Sequence, residues 1–376
     1  NLSLGVTLKS SWKKQIADFV AERKGASGIV YCLSRKKTED VAQMLRDQGH
    51  SALAFHAGID SSEKAAIQNR FMTEPGIVMV ATIAFGMGID KPDIRFVAHT
   101  DLPGSPEAYY QEIGRAGRDG APAETMLFYG LDDIRMRRVF IEEAQTSDDH
   151  KRREHKRLDS LIAYCEAPDC RRRMLLRYFG EAMQEACGNC DVCIDPVETT
   201  DGTHEANMVL TAVQGPGNRF GVAHIVSVLR GGSNDKIEQQ GHDRLDVYGA
   251  GASRNQKEWQ GIVRQMVAAG FLEIDVAGYG GIKMTVAGMA LTRGEGEFRY
   301  RADRIVKTSS RKRRASAEIE SLDSAGTKLL AVLKAKRLRL AEERGVPAYV
   351  IFSDRSLADM AAKRPATRVE FAETFG

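Results

Sequence analysis

The sequence predicts an α/β domain built on a parallel sheet, followed by smaller domains that are mainly helical. Short apolar runs alternate with helical patterns up to residue 138, as in a sheet that helices cover on both faces. Residues 139–202 are basic, helical and cysteine-bearing, and residues 203–300 hold two amphipathic helices followed by a hairpin pattern. That order of helices and hairpin is typical of a winged helix.

Five apolar runs in the α/β domain predict strands, and local signals mark the helices between them. Gly49 ends one helix, and Asp60 with Glu63 forms the capping-box pattern that opens the next. Ser105 and Pro106 provide a cap and a first-turn proline for another. The strand runs are GIVYCL from residue 28, SALAF from 51, IVMVA from 77, IRFVAH from 94 and ETMLFY from 124.

The winged-helix pattern has clear boundaries. Its second helix begins near Ser253 and ends at Gly270. Alternating apolar residues from Leu272, the turn AGYGG, and a return through Ile282 to Val286 predict the hairpin. Beyond it, residues 301–322 are basic without apolar periodicity, which indicates a linker, and residues 323–376 again show a helical pattern.

Composition and charge narrow the class of protein. The 376 residues are 43% hydrophobic and 28% charged, which predicts folded domains rather than a disordered chain. No apolar run approaches the roughly 18 residues of a membrane-spanning helix, and no secretory signal opens the sequence. The formal charge is only +3, so nucleic-acid binding would have to come from local basic stretches. The first residue is Asn, so we expect an excerpt of a longer chain.

Six cysteines are spread too thinly for a disulfide framework. Cys187, Cys190 and Cys193 have the spacing Cys-x2-Cys-x2-Cys, which indicates a zinc site in a reducing compartment. Tetrahedral zinc needs a fourth ligand, for which Cys170 and Cys165 compete. The alternative is a redox Cys-x2-Cys, against which the third cysteine at the same spacing argues. Four protein ligands would leave no open position, so the zinc would be structural.

A glycine-containing loop follows the predicted strand IVMVA. In Thr82-Ile-Ala-Phe-Gly86-Met-Gly88-Ile-Asp90 the two glycines permit positive φ and close backbone approach, which a phosphate or a nucleic-acid backbone requires. The loop lies at the carboxyl end of a strand, where open α/β sheets bind ligands. Taken alone, the pattern is also that of a plain turn.

A second motif, Gln111-Glu-Ile-Gly-Arg115-Ala-Gly-Arg118, lies at the end of the next predicted helix. If that helix continues, Gln111, Arg115 and Arg118 share one stripe at i, i+4 and i+7. Guanidinium groups on one stripe suit a triphosphate, because they bind phosphate oxygens and neutralise charge in a transition state. The alternative is a solvated helix end, but Gly114 and Gly117 beside the stripe are poor choices for that.

The two motifs resemble the fifth and sixth motifs of superfamily-two helicases, and their sequences are most similar to those of the RecQ family. TIAFGMGIDKPDIR and YYQEIGRAGRDG carry the resemblance, and YCLSRKKTE and AFHAGI are similar to earlier motifs of the same family. The likeness covers nearly the whole chain in the family's order. It implies a second RecA-like motor lobe (1–138), a helical zinc-binding subdomain (139–202), a winged-helix domain (203–300), a basic linker (301–322) and an incomplete, small all-α helicase-and-RNase-D C-terminal domain (323–376).

The resemblance also implies roles for single residues. Arg118 would be the arginine finger that reaches the γ-phosphate, assisted by Arg115 and Gln111. The family pattern selects Cys170 as the fourth zinc ligand and leaves Cys165 as a core residue. The residues that would couple ATP to DNA are Thr82, Gly86, Gly88 and Asp90.

The winged helix is the leading candidate for duplex DNA. Arg254, Asn255 and Lys257 lie at the amino end of its second helix, where free backbone N–H groups and side chains can meet phosphates. In RecQ-like enzymes the hairpin, which here carries Tyr279, acts as a strand-separating wedge; the alternative is a tight turn whose tyrosine packs on its own strand. Basic runs at 151–157 and 171–173 are mixed with acids, so DNA contact and ordinary solvated helix surface both stay open for them.

The leading prediction is the C-terminal portion of an ATP-dependent 3′-to-5′ DNA helicase of recombination and repair. No Gly-Lys and no Asp-Glu dipeptide occurs, so the phosphate-cradling and magnesium-holding motifs of a first lobe are absent from this sequence. We therefore expect the chain alone to bind DNA without hydrolysing ATP, with ATP and Mg²⁺ bound only when a first lobe is its partner.

Two alternatives remain open. One is a stand-alone zinc and winged-helix DNA-binding module without turnover. The other is an RNA helicase, which shares the lobe motifs, although the pairing of zinc with a winged helix favours DNA. The resemblance implies a cytoplasmic, nucleoid-associated protein of bacterial type with no membrane partner.

Overall fold

The computed structural model describes residues 1–85, 89–215, 217, 219–275, 281–303, 322–344, 346 and 348–374, with only the backbone of Glu342. These residues group into two compact units. The first contains residues 1–103, 107–129 and the described residues from 322 onward, and the second contains residues 104–106 and 130–303.

The scaffold of the first unit is a six-stranded parallel sheet. Its strands are β1 (Leu2–Leu8), β2 (Ser27–Tyr31), β3 (Ala52–Phe55), β4 (Val78–Ala81), β5 (Ile94–His99) and β6 (Ala123–Tyr129). The helices between them are α1 (Trp12–Ala21), α2 (Arg35–Asp47), α3 (Ser61–Thr73) and α4 (Pro106–Ile113). The strands are arranged in the order β1-β6-β5-β2-β4-β3, which confirms the predicted α/β lobe with a parallel sheet.

Helices α1 and α2 bury their apolar faces on this sheet. Phe19 of α1 is fully buried and meets the rings of Phe96 and Phe128 edge-on, with centroids 5.7 and 6.2 Å away. Gly28 is opposite Phe96 in the sheet, and a Cβ at residue 28 would lie 2.1 Å from that ring. A glycine is therefore required at this point for the aromatic core to pack against β2.

The five predicted strands of the lobe are all present, but β1 and α1 were not predicted. The segment LSLGVTL of β1 mixes leucine with Gly5 and Thr7, so it lacks a continuous apolar run. Its position comes from pairing with β6, in which Leu2 is opposite Ala123. A partner so distant in sequence leaves no local signal.

The second unit is mainly helical. Its helices are α5 (Leu131–Glu143), α6 (Asp148–Glu166), α7 (Arg171–Tyr178), α8 (Asp191–Ile194), α9 (Thr203–Gln214), α10 (Val222–Leu229), α11 (Asp235–Gln239), α12 (Gln256–Ala268) and α13 (Val286–Thr292), with a 3₁₀ turn at His242–Arg244. Its strands are β7 (Thr199–Asp201), β8 (Leu272–Asp275), β9 (Gly281–Met284) and β10 (Arg299–Arg301), paired as β7 with β10 and β8 with β9, both antiparallel.

The winged-helix arrangement of α9–α12 with β8 and β9 confirms the predicted order, with two corrections. Helix α12 begins at Gln256, because the side chain of Asn255 caps it there, rather than near Ser253. The return strand ends at Met284, and Val286 begins α13 with 76% of its surface exposed. The Thr285 side chain accepts the Gly288 N–H and so starts a helix where alternation predicted more strand.

A buried ion-pair network joins three elements within the second unit. Glu166, the last residue of α6, contacts Arg264 of α12 and, at 3.2 Å, Arg301 of β10. Arg264 also pairs with Asp303. The side chains of Glu166, Arg264 and Arg301 are only 6, 6 and 8% exposed, so each charge depends on its partners.

The last described residues form α14 (Ser324–Arg344), α15 (Ala348–Ile351), α16 (Asp354–Lys363) and α17 (Arg368–Ala372). They share a small core of Leu330, Leu357, Met360 and Ala361. Arg337 pairs with Asp354 at 2.7 Å and ties α14 to the start of α16. Among the described helices of both units, none has the length and apolar character needed to cross a membrane.

Candidate functional site

The loop after β4 begins with a tight turn. The Thr82 N–H donates to the carbonyl of Phe55 at 3.2 Å, and the Thr82 carbonyl accepts the Phe85 N–H at 3.0 Å. Asp90, near the other end of the loop, has a side chain that is 81% exposed. The two predicted glycines, Gly86 and Gly88, lie outside the described residues.

Helix α4 ends earlier than the arginine stripe requires. Its last residue is Ile113, and the chain then turns through Gly117, which has a left-handed φ of +66°. The Gly117 N–H donates to the Ile94 carbonyl at 2.9 Å instead of continuing a helical ladder. Gln111, Arg115 and Arg118 therefore do not share one helical stripe, and that part of the prediction was wrong.

Arg118 points toward the end of the loop that follows β4. Its guanidinium pairs with the Asp90 carboxylate at 2.7 Å and donates to the Ile89 carbonyl at 3.3 Å. With the Arg118 side chain 39% exposed, such an ion pair contributes about 0–1 kcal/mol at most. A triphosphate, with more charge and more acceptor oxygens, is a stronger partner for this guanidinium than Asp90.

Arg115 has a different and more buried set of partners. Its side chain hydrogen-bonds to the Tyr31 hydroxyl, and Arg115 and Glu112 each lie close enough to Tyr31 for electrostatic interaction with it. The Tyr31 hydroxyl also donates to the Phe85 carbonyl at 3.3 Å. Burial raises the pKa of Tyr31 above its usual range, against the lowering effect of Arg115. Tyr31 therefore stays protonated and keeps its donor.

A buried histidine and carboxylate lie beside Tyr31. His99 Nε2 is 2.7 Å from Glu112 Oε2, and the His99 ring stacks on Tyr31 with centroids 5.2 Å apart and planes 19° apart. Sequence reasoning missed this group. The only local signals for it are that His99 ends a strand and that Glu112 lies within the arginine motif.

A second buried cluster lies at the carboxyl ends of β2 and β5. Asp101 pairs with Lys9 at 3.0 Å and Lys37 at 2.6 Å, and accepts the Leu33 N–H at 3.0 Å. Burial alone would raise the pKa of Asp101, but the two lysines hold that pKa well below its usual range. The cluster was not predicted, although Asp101 follows a strand and Lys37 belongs to the motif-like SRKK.

The four predicted zinc ligands are brought together. The Sγ atoms of Cys170, Cys187, Cys190 and Cys193 lie within 4.8 Å of one another, and those of Cys187 and Cys193 are 3.9 Å apart. Four sulfurs about 2.3 Å from one zinc would be about 3.8 Å apart in a tetrahedron, so this donor set fits the ion. Cys165 lies outside the cluster and is fully buried.

Backbone N–H groups surround the cysteine cluster. Cys190 Sγ accepts from Arg171 and Cys193 N–H groups, each at 3.4 Å, and Cys170 Sγ accepts from Cys187 N–H at 3.4 Å. Burial raises the pKa of the Cys170 thiol, but hydrogen bonds from the backbone N–H groups of Arg173 and Cys187 outweigh it and lower that pKa to about 7. The buried Arg171 side chain pairs with Asp191 at 3.0 Å and so ties the start of α7 to the Cys190–Cys193 turn.

The amino end of α12 differs from the predicted open phosphate site. Asn255 uses its side chain to accept the Lys257 and Glu258 N–H groups at 2.9 and 3.1 Å, and Glu258 accepts the Asn255 N–H at 2.7 Å. These N–H groups are not free, which corrects the prediction. Arg254 pairs with Glu205, whereas Lys257 is exposed. Tyr279 lies outside the described residues.

The predicted basic runs are partly used within the fold. In the run at 171–173, Arg171 is buried and Arg173 pairs with Asp169. In the run at 151–157, Arg152 is 77% exposed beside Asp149, and Lys156 is exposed. The run at 151–157 therefore offers exposed positive charge at Arg152 and Lys156, which lie four residues apart on α6.

Family models match the chain in four consecutive stretches. They are the helicase conserved C-terminal domain over residues 12–120, RecQ zinc-binding over 131–194, the RQC domain over 196–309 and the HRDC domain over 326–376. The cysteine cluster lies within the second of these matches.

Curated bacterial proteins named ATP-dependent DNA helicase RecQ match over nearly the whole chain. The Pasteurella multocida protein is 39% identical, covering 95% of this chain and 56% of its own length. The Haemophilus influenzae protein is 37% identical, covering 98% and 60%, and the Bacillus subtilis protein is 32% identical, covering 100% and 61%. The chain thus spans 56–61% of the length of these relatives.

Proposed function

The chain belongs to the RecQ family, and we propose that it is the C-terminal portion of an ATP-dependent 3′-to-5′ DNA helicase that unwinds duplex DNA in recombination and repair. The observation that carries the proposal is the match to four successive family models over a chain whose first unit is a parallel-sheet lobe. The relatives that are named ATP-dependent DNA helicases support the proposed helicase activity and the choice of DNA as the polynucleotide.

In this proposal ATP and Mg²⁺ bind between this lobe and a first motor lobe that provides the phosphate cradle. Arg118 releases Asp90 and pairs with the γ-phosphate instead. It then neutralises the charge that develops during phosphoryl transfer, as an arginine finger does. Arg115 and Gln111 assist from the same segment. Thr82, Gly86, Gly88 and Asp90 form the loop that connects nucleotide to DNA.

The second unit would hold the DNA. One zinc ion bound by Cys170, Cys187, Cys190 and Cys193 would be structural, fixing the start of α7 to the turn before α8. Lys257 and the exposed basic residues of α6 would contact phosphates, with Arg254 and Asn255 setting the end of α12 and Tyr279 acting at the fork. We further propose that the protein acts in the bacterial cytoplasm, at the nucleoid.

The test compares this chain alone with the same chain joined to a first motor lobe. Alone, it should bind tailed duplex DNA with an affinity that falls steeply with salt, and should show no DNA-stimulated ATPase. Joined, it should hydrolyse ATP and unwind 3′-tailed but not 5′-tailed duplexes. ATPase activity of the chain alone would contradict the division of labour proposed here, and unwinding of 5′-tailed duplexes would contradict the polarity.

A variant pair makes the arginine assignment testable. In the joined enzyme, Arg118→Ala should lower kcat for ATP by about 10³-fold or more. The matched control is Arg70→Ala, which removes an exposed arginine paired with Glu74 on α3 and should leave kcat unchanged. If the two variants were equally active, Arg118 would have no role in stabilising the transition state. DNA binding without any ATPase in the joined enzyme would favour the stand-alone module.

A further inference from the structure

We propose that a cleft between α5 and α6 binds one unpaired base of single-stranded DNA, stacked on Phe140, with the adjoining phosphate held by Lys151 and Arg137. The inference rests on the proposed function, because it names a place on the second unit where the polynucleotide is held. Phe140 and Arg137 belong to no motif singled out in the sequence, and Lys151 begins the basic run at 151–157.

Helix α5 leaves most of its apolar side chains at least partly uncovered. Among its residues, all of which the structure describes, Ile134 is the one buried apolar side chain. Met136 and Phe140, by contrast, are each 45% exposed. These two residues lie about one helical turn apart and so share one face of the helix. An exposed apolar row beside a cleft is typical of a binding surface.

The cleft lies between α5 and α6, which the short segment 144–147 connects. Phe140 and Ile141 provide its apolar wall, and His150 and Lys151 line it from α6. Its volume is about 240 Å³. Sites that enclose a whole small molecule are larger, at roughly 300–1,000 Å³. A space of this size therefore suits one planar base, with its sugar and phosphate outside.

Contacts between the two helices hold the walls of the cleft in place. Arg138 of α5 pairs with Asp159 of α6 at 2.7 Å, and the Glu142 carboxylate is 2.7 Å from His155 Nε2. Lys151 Nζ donates to the Glu142 carbonyl at 2.5 Å and lies 3.9 Å from its carboxylate. Because the walls are fixed before a ligand arrives, binding costs little reorganisation.

The charges of the cleft favour an anionic ligand. Arg137 and Lys151 both line it. Glu154 is the one acidic side chain among the described residues that line it, and its carboxylate is 2.7 Å from the Arg157 guanidinium. The Lys151 ammonium has three N–H donors, of which the carbonyl accepts one, so it can also donate to phosphate oxygens.

An aromatic ring beside cationic side chains suits single-stranded nucleic acid in particular. A base stacks on the ring whatever its identity, while the cations hold the backbone. An acidic peptide would use the cations without requiring a flat group against Phe140. A face of the first motor lobe would cover the ring without requiring the cations. Single-stranded DNA uses both features of the cleft.

The experiment measures binding of the zinc-loaded chain to fluorescein-labelled oligothymidylate by anisotropy. Phe140→Ala should raise Kd about tenfold, because the stacking of one base is lost. Phe140→Leu should raise it similarly, since leucine is apolar but has no π face, whereas Phe140→Trp should bind like the wild type. The matched control is Phe179→Ala, which removes a ring that is 41% exposed just after α7 and should leave Kd unchanged.

A second pair of variants tests the phosphate contact. Lys151→Met should raise Kd and should reduce the slope of log Kd against log salt concentration by about 0.7, the value for one phosphate contact on a single strand. The control Lys14→Met removes an exposed lysine of α1 that pairs with Asp18 at 2.8 Å, and should leave the slope unchanged. In the chain joined to a first motor lobe, oligothymidylate should quench the additional tryptophan emission of Phe140→Trp.

The outcomes separate the two proposals. A wild-type chain that binds neither tailed duplex nor oligothymidylate would overturn the proposed function and this inference with it. A chain that binds DNA, but whose Phe140→Ala and Lys151→Met variants keep Kd within twofold, would overturn the cleft alone. Wild-type affinity in Phe140→Leu, or an equal loss in Phe179→Ala, would refute stacking on Phe140. Emission of the joined Phe140→Trp enzyme that oligothymidylate does not change would mean that the first lobe covers the ring, which would also overturn the inference.

Discussion

Replacing Glu166 by alanine should destabilise the second unit through the charges that it leaves behind. Its carboxylate lies between the guanidinium groups of Arg264 and Arg301, both nearly inaccessible to water. Removing one member of a buried ion pair typically lowers the free energy of unfolding by about 3–5 kcal/mol. Arg264 keeps Asp303, and Arg301 keeps a hydrogen bond to the Glu166 main-chain carbonyl, so the low end applies, about 3 kcal/mol.

That loss converts into a measurable shift in melting temperature. For a unit of this size, 1 kcal/mol lowers Tm by about 2–4 °C, so Glu166→Ala should lower it by about 6–12 °C. Calorimetry of the zinc-loaded chain should show this loss in the transition of the second unit, with the transition of the first unit unchanged.

A matched surface variant tests whether burial is the cause. Arg293 and Glu295 form an ion pair within the same unit, with side chains 59 and 60% exposed. Glu295→Ala should change the free energy of unfolding by less than about 1 kcal/mol. If Glu166→Ala were no more destabilising than Glu295→Ala, the reasoning from buried charge would be refuted.

Three further predictions concern other parts of the chain. Cys190→Ser should lose the bound zinc ion, measured by elemental analysis, whereas Cys165→Ser, which lies outside the cluster, should keep it. Full zinc content in Cys190→Ser would refute the assignment of the zinc site. Burial, with smaller contributions from the neighbouring His242 and Lys236, lowers the pKa of His224 from 6.5 to about 4, so as the pH falls the folded state takes up this proton later than the unfolded state. The free energy of unfolding in urea should therefore be highest above pH 6.5 and fall as the pH drops toward 4, and His224→Gln should flatten that window; an unchanged pH profile would contradict the assignment. Gly117→Ala should destabilise the first unit by about 1–2 kcal/mol, because its φ is +66° and the new Cβ would lie 3.0 Å from a carbonyl. The control Gly104→Ala meets no atom within 4 Å and should melt like the wild type, and equal melting of both variants would contradict the strain argument.

The parts that the sequence predicted well are those with short-range signals. Strands buried on both faces read as continuous apolar runs, so β5 was predicted with its observed bounds, from Ile94 to His99. Cysteine spacing alone indicated the metal site. It did not choose between Cys165 and Cys170, which are five residues apart; the family pattern did, and the structure brings Cys170 into the cluster.

The parts that failed depend on where the chain turns or on contacts between distant residues. The stripe of Gln111, Arg115 and Arg118 assumed a helix that the left-handed Gly117 does not allow. Glu166 and Arg301 are 135 residues apart in the sequence, with the winged-helix region between them, and meet only in the folded unit. No local pattern in a single sequence carries such a contact.

The pairing of β1 with β6 has a consequence for synthesis on the ribosome. β1 is made before the other strands of the sheet, yet the strand beside it, in which Ala123 is opposite Leu2, follows more than a hundred residues later. Until β6 is made, β1 has no partner and the β5 edge of the sheet is unpaired, and long-range parallel pairing is slow because a large loop must close first. The nascent lobe therefore passes through a stage with an open strand edge, which is when chaperones would matter most to this protein.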